Sequence, residues 1–361
     1  MISRLLLFAF TRAHKPSVLF AFVLAHSFLS TAEVSPWGRF VTSTAIVSNS
    51  ATRKIYAVCE GANSVAVIDA VSGRRRAVMV GREPIAIAIN LRTNRIYVAN
   101  SGDASVSVID GRSDAVEAII AVARLPYTMA LDETTNRIYV SHTYAGVVTM
   151  IDGATSKAIP LKIGDADGVA VDPQNGKVFL YTYEDSYVRI LDEATGAVTK
   201  VGVGPHIWGM VFDESTATLY LAHTATNEIV ALHENSLSVS TIPVGKIPCA
   251  LAVDPETRKL FVANYGDNTV SIIDLQTRRV SRTLPVGRHP QGLAIDFKSK
   301  RVFVANLHED SLTVIDGAKN AVTSTLHAGS RPYAVAVDLQ SGTPYAANYS
   351  SPWVTKVVVS K

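Results

Sequence analysis

Four histidines, one isolated carboxylate and a series of cations set the chemistry open to this chain of 361 residues. His142 and His223 each end a short β-type run, while His206 and His289 each stand just before one. Zinc or copper would need three or four such donors within about 2.0–2.3 Å of one point. The repeat described below sets His142 and His223 two units apart, too far to share an ion, so no metal site is expected. Asp167 and His206 could act as a general acid–base pair and are the catalytic candidates of a secondary reading. No nucleophile elbow, H-E-x-x-H, C-x-x-C-H or vicinal cysteine pair occurs, so the chain is not expected to be an enzyme or to carry a cofactor. Cations recur in short loops, at Arg82, Arg124, Lys246, Arg288 and Arg331.

The elements that position these groups follow from an internal repeat. An aromatic residue in a β run recurs at Tyr56, Tyr97, Tyr139, Phe179, Tyr220, Phe261, Phe303 and Tyr345, in steps of 41, 42, 40, 41, 41, 42 and 42. A second run ends 13 residues after each anchor, as in SVAVID at Asp69 and SLTVID at Asp316. Each unit reads as four antiparallel strands a to d, for example Ala86–Ile89, Ile96–Ala99, Val106–Ile109 and Glu117–Val122. A period near 41 residues repeated eight times predicts an all-β propeller of eight four-stranded blades, with seven as the alternative.

Strand a carries small residues at alternate sites, such as Ala86 and Ala88 or Gly292 and Ala294, which fit where tapering blades converge. Strand d holds Pro160, Pro243, Pro285 and exposed charge, the composition of an outer edge. The loops from d to a and from b to c then emerge on one face, here called upper. There the residue entering strand a reads Thr44, Ile85, Tyr127, Asp167, Trp208, Cys249, Gln291 and Tyr333 around the ring. The cations above stand behind that ring, and the strand b ends add Asn100, His142, His223, Asn264, Asn306 and Asn348. Converging aromatic, amide and cationic groups describe a binding funnel. The structural alternative is that the Gly-x-x-Pro loops are solvated turns and the Asn residues satisfy backbone groups. The repeated Asp69, Asp110, Asp152, Asp192, Asp274 and Asp316 read as turn caps.

The combination of I-Y-V-A-N at Ile96–Asn100, S-V-S-V-I-D at Ser105–Asp110 and V-G-x-x-P at Val80–Pro84, Val244–Pro248 and Val286–Pro290 resembles the YVTN-repeat β-propeller family across residues 43–358. Copies four and five depart from the pattern. The resemblance implies an exported or surface-layer propeller and no single shared activity.

Residues 1–32 read as a signal peptide, with Arg4, Arg12 and Lys15 before the apolar run Val18–Leu29 and small residues Ser30 and Ala32 before the cut. The mature chain then carries 34 − 3 = 31 Lys and Arg against 31 Asp and Glu, with no transmembrane span and no global field for nucleic acid. A periplasmic or cell-surface monomer is expected. Cys59 and Cys249 are too few for a disulfide framework. Seven d strands follow eight copies of a, b and c, so residues 33–41 are expected to pair with Val354–Val359 and complete the last blade of a single domain spanning 33–361. The function expected is ligand binding or scaffolding at the upper axial mouth, with an anionic, glycan or peptide partner. Nucleic acid is a lesser candidate ligand. The alternatives are an axial-mouth hydrolase or lyase of lactonase type and a structural surface-layer module.

Overall fold

A computed structural model describes residues 45–349, 351 and 353–359. They form eight antiparallel sheets in chain order, seven with four strands and the eighth with three among the described residues. In blade 2 the strands are Pro84–Asn90, Arg95–Asn100, Ser105–Asp110 and Val116–Ala121. The first three extend the expected bounds by one or two residues at each end, because pairing continues to the capped turns. Strand a of each blade packs against strand a of its neighbours, and strand d is the exposed edge. The chain is an eight-bladed β-propeller.

The core lies between blades. All eight aromatic anchors are fully buried, and each cluster of buried side chains joins two neighbouring sheets. A strand alternates its side chains between two faces, and strands b and c are apolar on both, as in Arg95–Asn100 and Ser105–Asp110. Each sheet therefore needs a neighbour on either side.

The lower face is built from capped turns. Asp69, Asp110, Asp152, Asp192, Asp274 and Asp316 each accept backbone N–H bonds from the residues two and three further on, as in Asp110 Oδ1 from Arg112 (3.0 Å) and Ser113 (2.7 Å). All six carboxyls are held below the ordinary carboxylate range. Asp192 falls to about 2, chiefly because Lys177 bonds it, and turn amides act first in the other five. A second ring ends strand a, with Asn49, Asn90, Asp132, Asp172, Asp213, Asp254, Asp296 and Asp338, all buried. The fourth residue after each of these takes a positive φ, and where it is Arg53, Asn94, Asn136 or Lys300 its side chain reaches back across the seam to the preceding blade. Asn49 Nδ2 donates to Asn94 Oδ1 (2.6 Å), Asn90 Nδ2 to Asn136 Oδ1 (2.7 Å), and Lys300 lies 3.7 Å from Asp254.

The same clasp closes the ring. Arg53 of blade 1 donates through Nη2 to Asp338 Oδ2 of blade 8 at 2.6 Å, Gln340 Nε2 donates to the Ser50 carbonyl, and the inner strands Ile46–Asn49 and Pro332–Asp338 pack together. The outermost described strand of blade 8 is Thr355–Lys356, paired with Tyr345 and Ala346. The strand expected from residues 33–41, and the signal peptide at 1–32, lie outside the described residues.

The seam between blades 4 and 5 is mismatched. The hydroxyls of Tyr56 and Tyr139 donate across their seams to Asp114 (2.6 Å) and Glu193 (2.5 Å). Blade 4 has Phe179 at that position, so the corresponding Glu234 of blade 5 receives no phenol. Its Oε2 is buried without a partner. Burial first, and the neighbouring Asp172 second, push the Glu234 carboxyl up to about 7. A carboxyl whose folded pKa exceeds its unfolded value near 4.3 contributes stability fully present below that value and lost as pH rises through the folded pKa. Glu234→Gln should therefore raise the melting temperature at pH 8 and lose that advantage by pH 4. A constant difference across this range would refute the assignment. Arg53→Ala leaves the buried Asp338 carboxylate without its cation and should lower the midpoint of urea unfolding. An unchanged midpoint would show that the clasp does not hold the closing seam.

Candidate functional site

The loops from d to a are set by backbone geometry repeated around the upper face. Glu83, Leu125, Ile247, His289 and Arg331 have φ between 51° and 55°, each immediately before a proline, and His206 has 67° immediately after one. Residues of this kind are rare in the left-handed region, and proline disfavours the α region before it. The conformation is held from the preceding blade. Asn63 Oδ1 accepts from Glu83 N (2.9 Å), Asn227 from Ile247 N (2.9 Å), Asn268 from His289 N (2.9 Å) and Asp310 from Arg331 N (2.8 Å).

Held this way, the loops bring most of the expected ring together. Tyr127, Asp167, Trp208 and Gln291 are partly exposed at the start of strand a, Tyr333 and Cys249 are buried there, and Thr44 lies outside the described residues. Burial raises the proton affinity of Tyr127 and Tyr333, so both stay neutral phenols. Tyr181 donates its hydroxyl to the Trp208 carbonyl at 3.0 Å. Its ring crosses Gly168 so closely that a Cβ there would lie 1.9 Å from Cε1. Both cysteines are free and buried, and burial pushes the Cys249 thiol up to about 12.

The dominant feature is an arc of rings. Trp208 stands 5.9 Å from Tyr265, Tyr265 stacks on His289 at 4.4 Å, and His289 meets His308 edge-on at 4.6 Å. Farther round, Tyr333 faces Tyr349 at 4.3 Å with the Arg331 guanidinium 5.6 Å from the Tyr349 ring, and Tyr183 meets His206 at 5.1 Å. Tyr183, Tyr265, His308 and Tyr349 were absent from the sequence expectation. Their signal was present, since each follows the strand b end by one or two residues.

The cations form an outer rim already countered by acids of the b-to-c loops. Arg82 pairs with Asp103 at 2.5 Å, and Asp103 also accepts from Arg82 N; Asp267 and Glu309 accept from Lys246 N (3.0 Å) and Arg288 N (2.8 Å). Arg124 donates to the Tyr144 carbonyl at 2.6 Å. A net positive mouth is therefore not what the loops present.

The strand b ends do not line the funnel, which corrects the placement of His142 and His223. His142 is wholly buried, its Nδ1 bonded to the Arg124 carbonyl (3.0 Å) and its Nε2 to Thr149 Oγ1 (2.8 Å), and burial lowers it to about 4. His223 is buried with Nδ1 on Thr226 Oγ1, and it too is lowered by burial. Asn100, Asn264 and Asn306 likewise turn inward to hydroxyls of strand c. For His223 and these three Asn residues the physical reason is the loop glycine above them, whereas His142, whose loop has Ala123 at that position, is held inward by its bonds to the Arg124 carbonyl and Thr149 Oγ1. A Cβ at Gly81, Gly245 or Gly287 would lie within 2.8 Å of those amides, so the loop closes directly over the side chain.

Asp167 and His206 flank Tyr183 rather than bonding each other. Asp167 accepts from Tyr183 N (2.8 Å) and Thr143 Oγ1 (3.2 Å), and His206 N donates to the Tyr183 carbonyl (2.6 Å). Burial raises the Asp167 carboxyl despite those bonds. His289 and His308 bring their Nδ1 atoms to 2.5 Å, so one ring donates and the other accepts, and burial lowers the pKa of both. No cluster of three metal-ligating side chains occurs among the described residues.

No family model matches the chain, and comparison with curated proteins finds no match. Solved structures do match. Hydrazine synthase of Kuenenia stuttgartiensis aligns with a TM-score of 0.63 and 18% identity, covering 92% of this chain and 98% of that one. The dihydro-heme d1 dehydrogenase NirN in complex with DHE aligns at 0.69 and 13% identity over 95% and 84%. The β-propeller domain of Myceliophteria thermophila Cps50 (Swd1) aligns at 0.63 and 10% identity over 77% and 97%. At these identities the likeness shows the fold.

Asp167 has a raised folded pKa, so its stabilising contribution exists below its unfolded value and is lost as pH rises through the folded one. Asp167→Asn preserves an acceptor for Tyr183 N and should melt higher than the parent at pH 7.5, with the gap narrowing toward pH 4. A lower melting temperature at pH 7.5 would show that the carboxylate is a net structural anchor.

Proposed function

We propose that this protein is an exported, ligand-binding β-propeller of the YVTN-repeat type that engages a glycan at its upper axial mouth. One observation carries the reading: the ring arc of Trp208, Tyr265, His289 and His308, continued by Tyr333 and Tyr349, at a taper where small residues would suffice. Aromatic faces accept the apolar faces of sugars, while Asp167, Gln291 and Arg331 supply the few polar groups that orient a ligand. The acid-balanced rim favours a neutral or weakly charged ligand over a polyanion. Export rests on the basic, then apolar, N-terminal 32 residues; among the described residues no helix is long and apolar enough to cross a membrane.

A hydrolase or lyase is the second reading, favoured by the raised proton affinity of Asp167 at the mouth. It requires turnover that Asp167→Asn abolishes.

The test is calorimetric titration with cell-envelope glycan fragments, with Trp208→Ala and Tyr349→Ala as variants. Each should weaken binding about tenfold or more at a temperature where the variant is fully folded, as truncation of a central aromatic anchor does. Fragments that bind both variants as tightly as the parent would remove the mouth from the reading.

A further inference from the structure

The lower face carries an asymmetry that its capping role does not need. The first turn residue after strand a is Phe297 in blade 7, Leu339 in blade 8, Ser50 in blade 1 and Leu91 in blade 2, four consecutive blades. The other four have Glu133, Pro173, Glu214 and Pro255. Phe297, Leu339 and Leu91 are 44%, 42% and 37% exposed, and Val71, in the neighbouring c-to-d turn of blade 1, is 68% exposed. These side chains stand in tight turns and leave a third or more of their surface in water.

Cations surround them. Arg74, Arg75, Arg92 and Lys298 lie in the same turns, are exposed, and enter no ion pair among the described residues. Arg258, Arg278 and Arg279 extend the basic sector into blade 6. Since Lys and Arg equal Asp and Glu beyond residue 32, this is a separation of charge within a neutral body. The carboxylates of these turns only partly offset it: residues 49–54, 69–76, 90–95, 110–114, 296–301, 316–320 and 338–343 hold 12 Lys and Arg against 6 Asp and Glu.

We propose that the lower face of blades 7, 8, 1 and 2 docks on an anionic lipid bilayer. Protruding aliphatic and aromatic tips within a cationic surround match an interface whose headgroups are negative and whose acyl boundary lies just beneath. Charge complementarity decides in favour of an anionic surface, and the projecting tips decide for lipid. Nucleic acid phosphates would satisfy the cations while leaving Phe297, Leu339 and Leu91 in water. On a bilayer the upper mouth then faces away into solution, so this inference stands whether or not the mouth binds glycan.

The test is cosedimentation of the full chain with vesicles of one part phosphatidylglycerol to two parts phosphatidylcholine, against vesicles of phosphatidylcholine alone. Arg74→Glu, Arg75→Glu and Lys298→Glu together should lower partitioning by about a hundredfold, at ~1 kcal/mol per cation lost near the surface. Phe297→Ser with Leu339→Ser should lower it independently, and salt should weaken the parent. An unchanged melting temperature establishes that each variant is folded, and Arg74→Gln with Arg75→Gln replaces the triple variant if it is not. Equal partitioning of parent and variants would overturn the proposal by placing the binding elsewhere, the apolar run Val18–Leu29 included. Equal binding to neutral vesicles, or displacement from vesicles by duplex DNA, would overturn it as well.

Discussion

Each four-stranded sheet of this protein is apolar on both faces and cannot bury either one by itself. Burying a large aromatic side chain is worth roughly 1.5–3 kcal/mol, and the eight anchors from Tyr56 to Tyr345 gain it only when a second sheet arrives. Closure into a ring is the arrangement that leaves no inner face uncovered. The polar clasps follow from the same demand, because the strand a ends and turn amides crowded at the lower axis are cut off from water and must satisfy one another. Strand a ends in Asp or Asn in every blade, including the two whose sequences drift furthest from the repeat.

The separation of roles between the faces is a consequence of how strands return. Lower turns are short and close on themselves through Asp and Asn, so their tips are free to vary without disturbing the seams. Upper loops are stapled to the preceding blade, which fixes residues such as His289 and Arg331 in a left-handed conformation. Conformations of this kind are maintained only where the surroundings over-determine them. The result is a mouth whose rings are pre-positioned, and a lower surface whose character changes from Glu133 and Glu214 on one side to Phe297 and Leu339 on the other without change of backbone.

Much of this was legible in the sequence because the repeat is physical. The aromatic at a fixed step marks the seam, small residues mark the inner strand, and Asp before a polar turn marks a capped reversal; each appears where its spacing put it. Strand ends were drawn one or two residues short because the bonded register runs to the cap, a detail that alternation does not encode. The mouth was read only in part. Tyr127, Asp167, Trp208, Gln291 and Tyr333 could be placed from their offset after the loop. His142 and His223 could not, because side-chain direction at the last residue of strand b depends on what the loop places overhead: Gly204 closes over His223, and the Arg124 carbonyl and Thr149 hydroxyl hold His142 inward. Tyr265 and Tyr349 stand one residue beyond the strand b ends Asn264 and Asn348, in loops whose side-chain direction alternation does not encode. The charge balance of the rim needed coordinates, since Arg82 and Asp103 belong to different loops.

The Arg53–Asp338 clasp joins residues 285 positions apart, whereas its counterpart between Asn49 and Asn94 spans 45. Chemically the two are alike, yet their chain statistics differ. With a cost of about 0.6 kcal/mol for each doubling of the closed segment, the last seam gives up ~1.6 kcal/mol more conformational entropy than the others. Seven seams join neighbours tethered by a short loop and benefit from a high effective concentration, while the eighth is an encounter between distant parts of the polymer. The eighth seam is therefore the one whose closure the tethering of neighbours does least to assist.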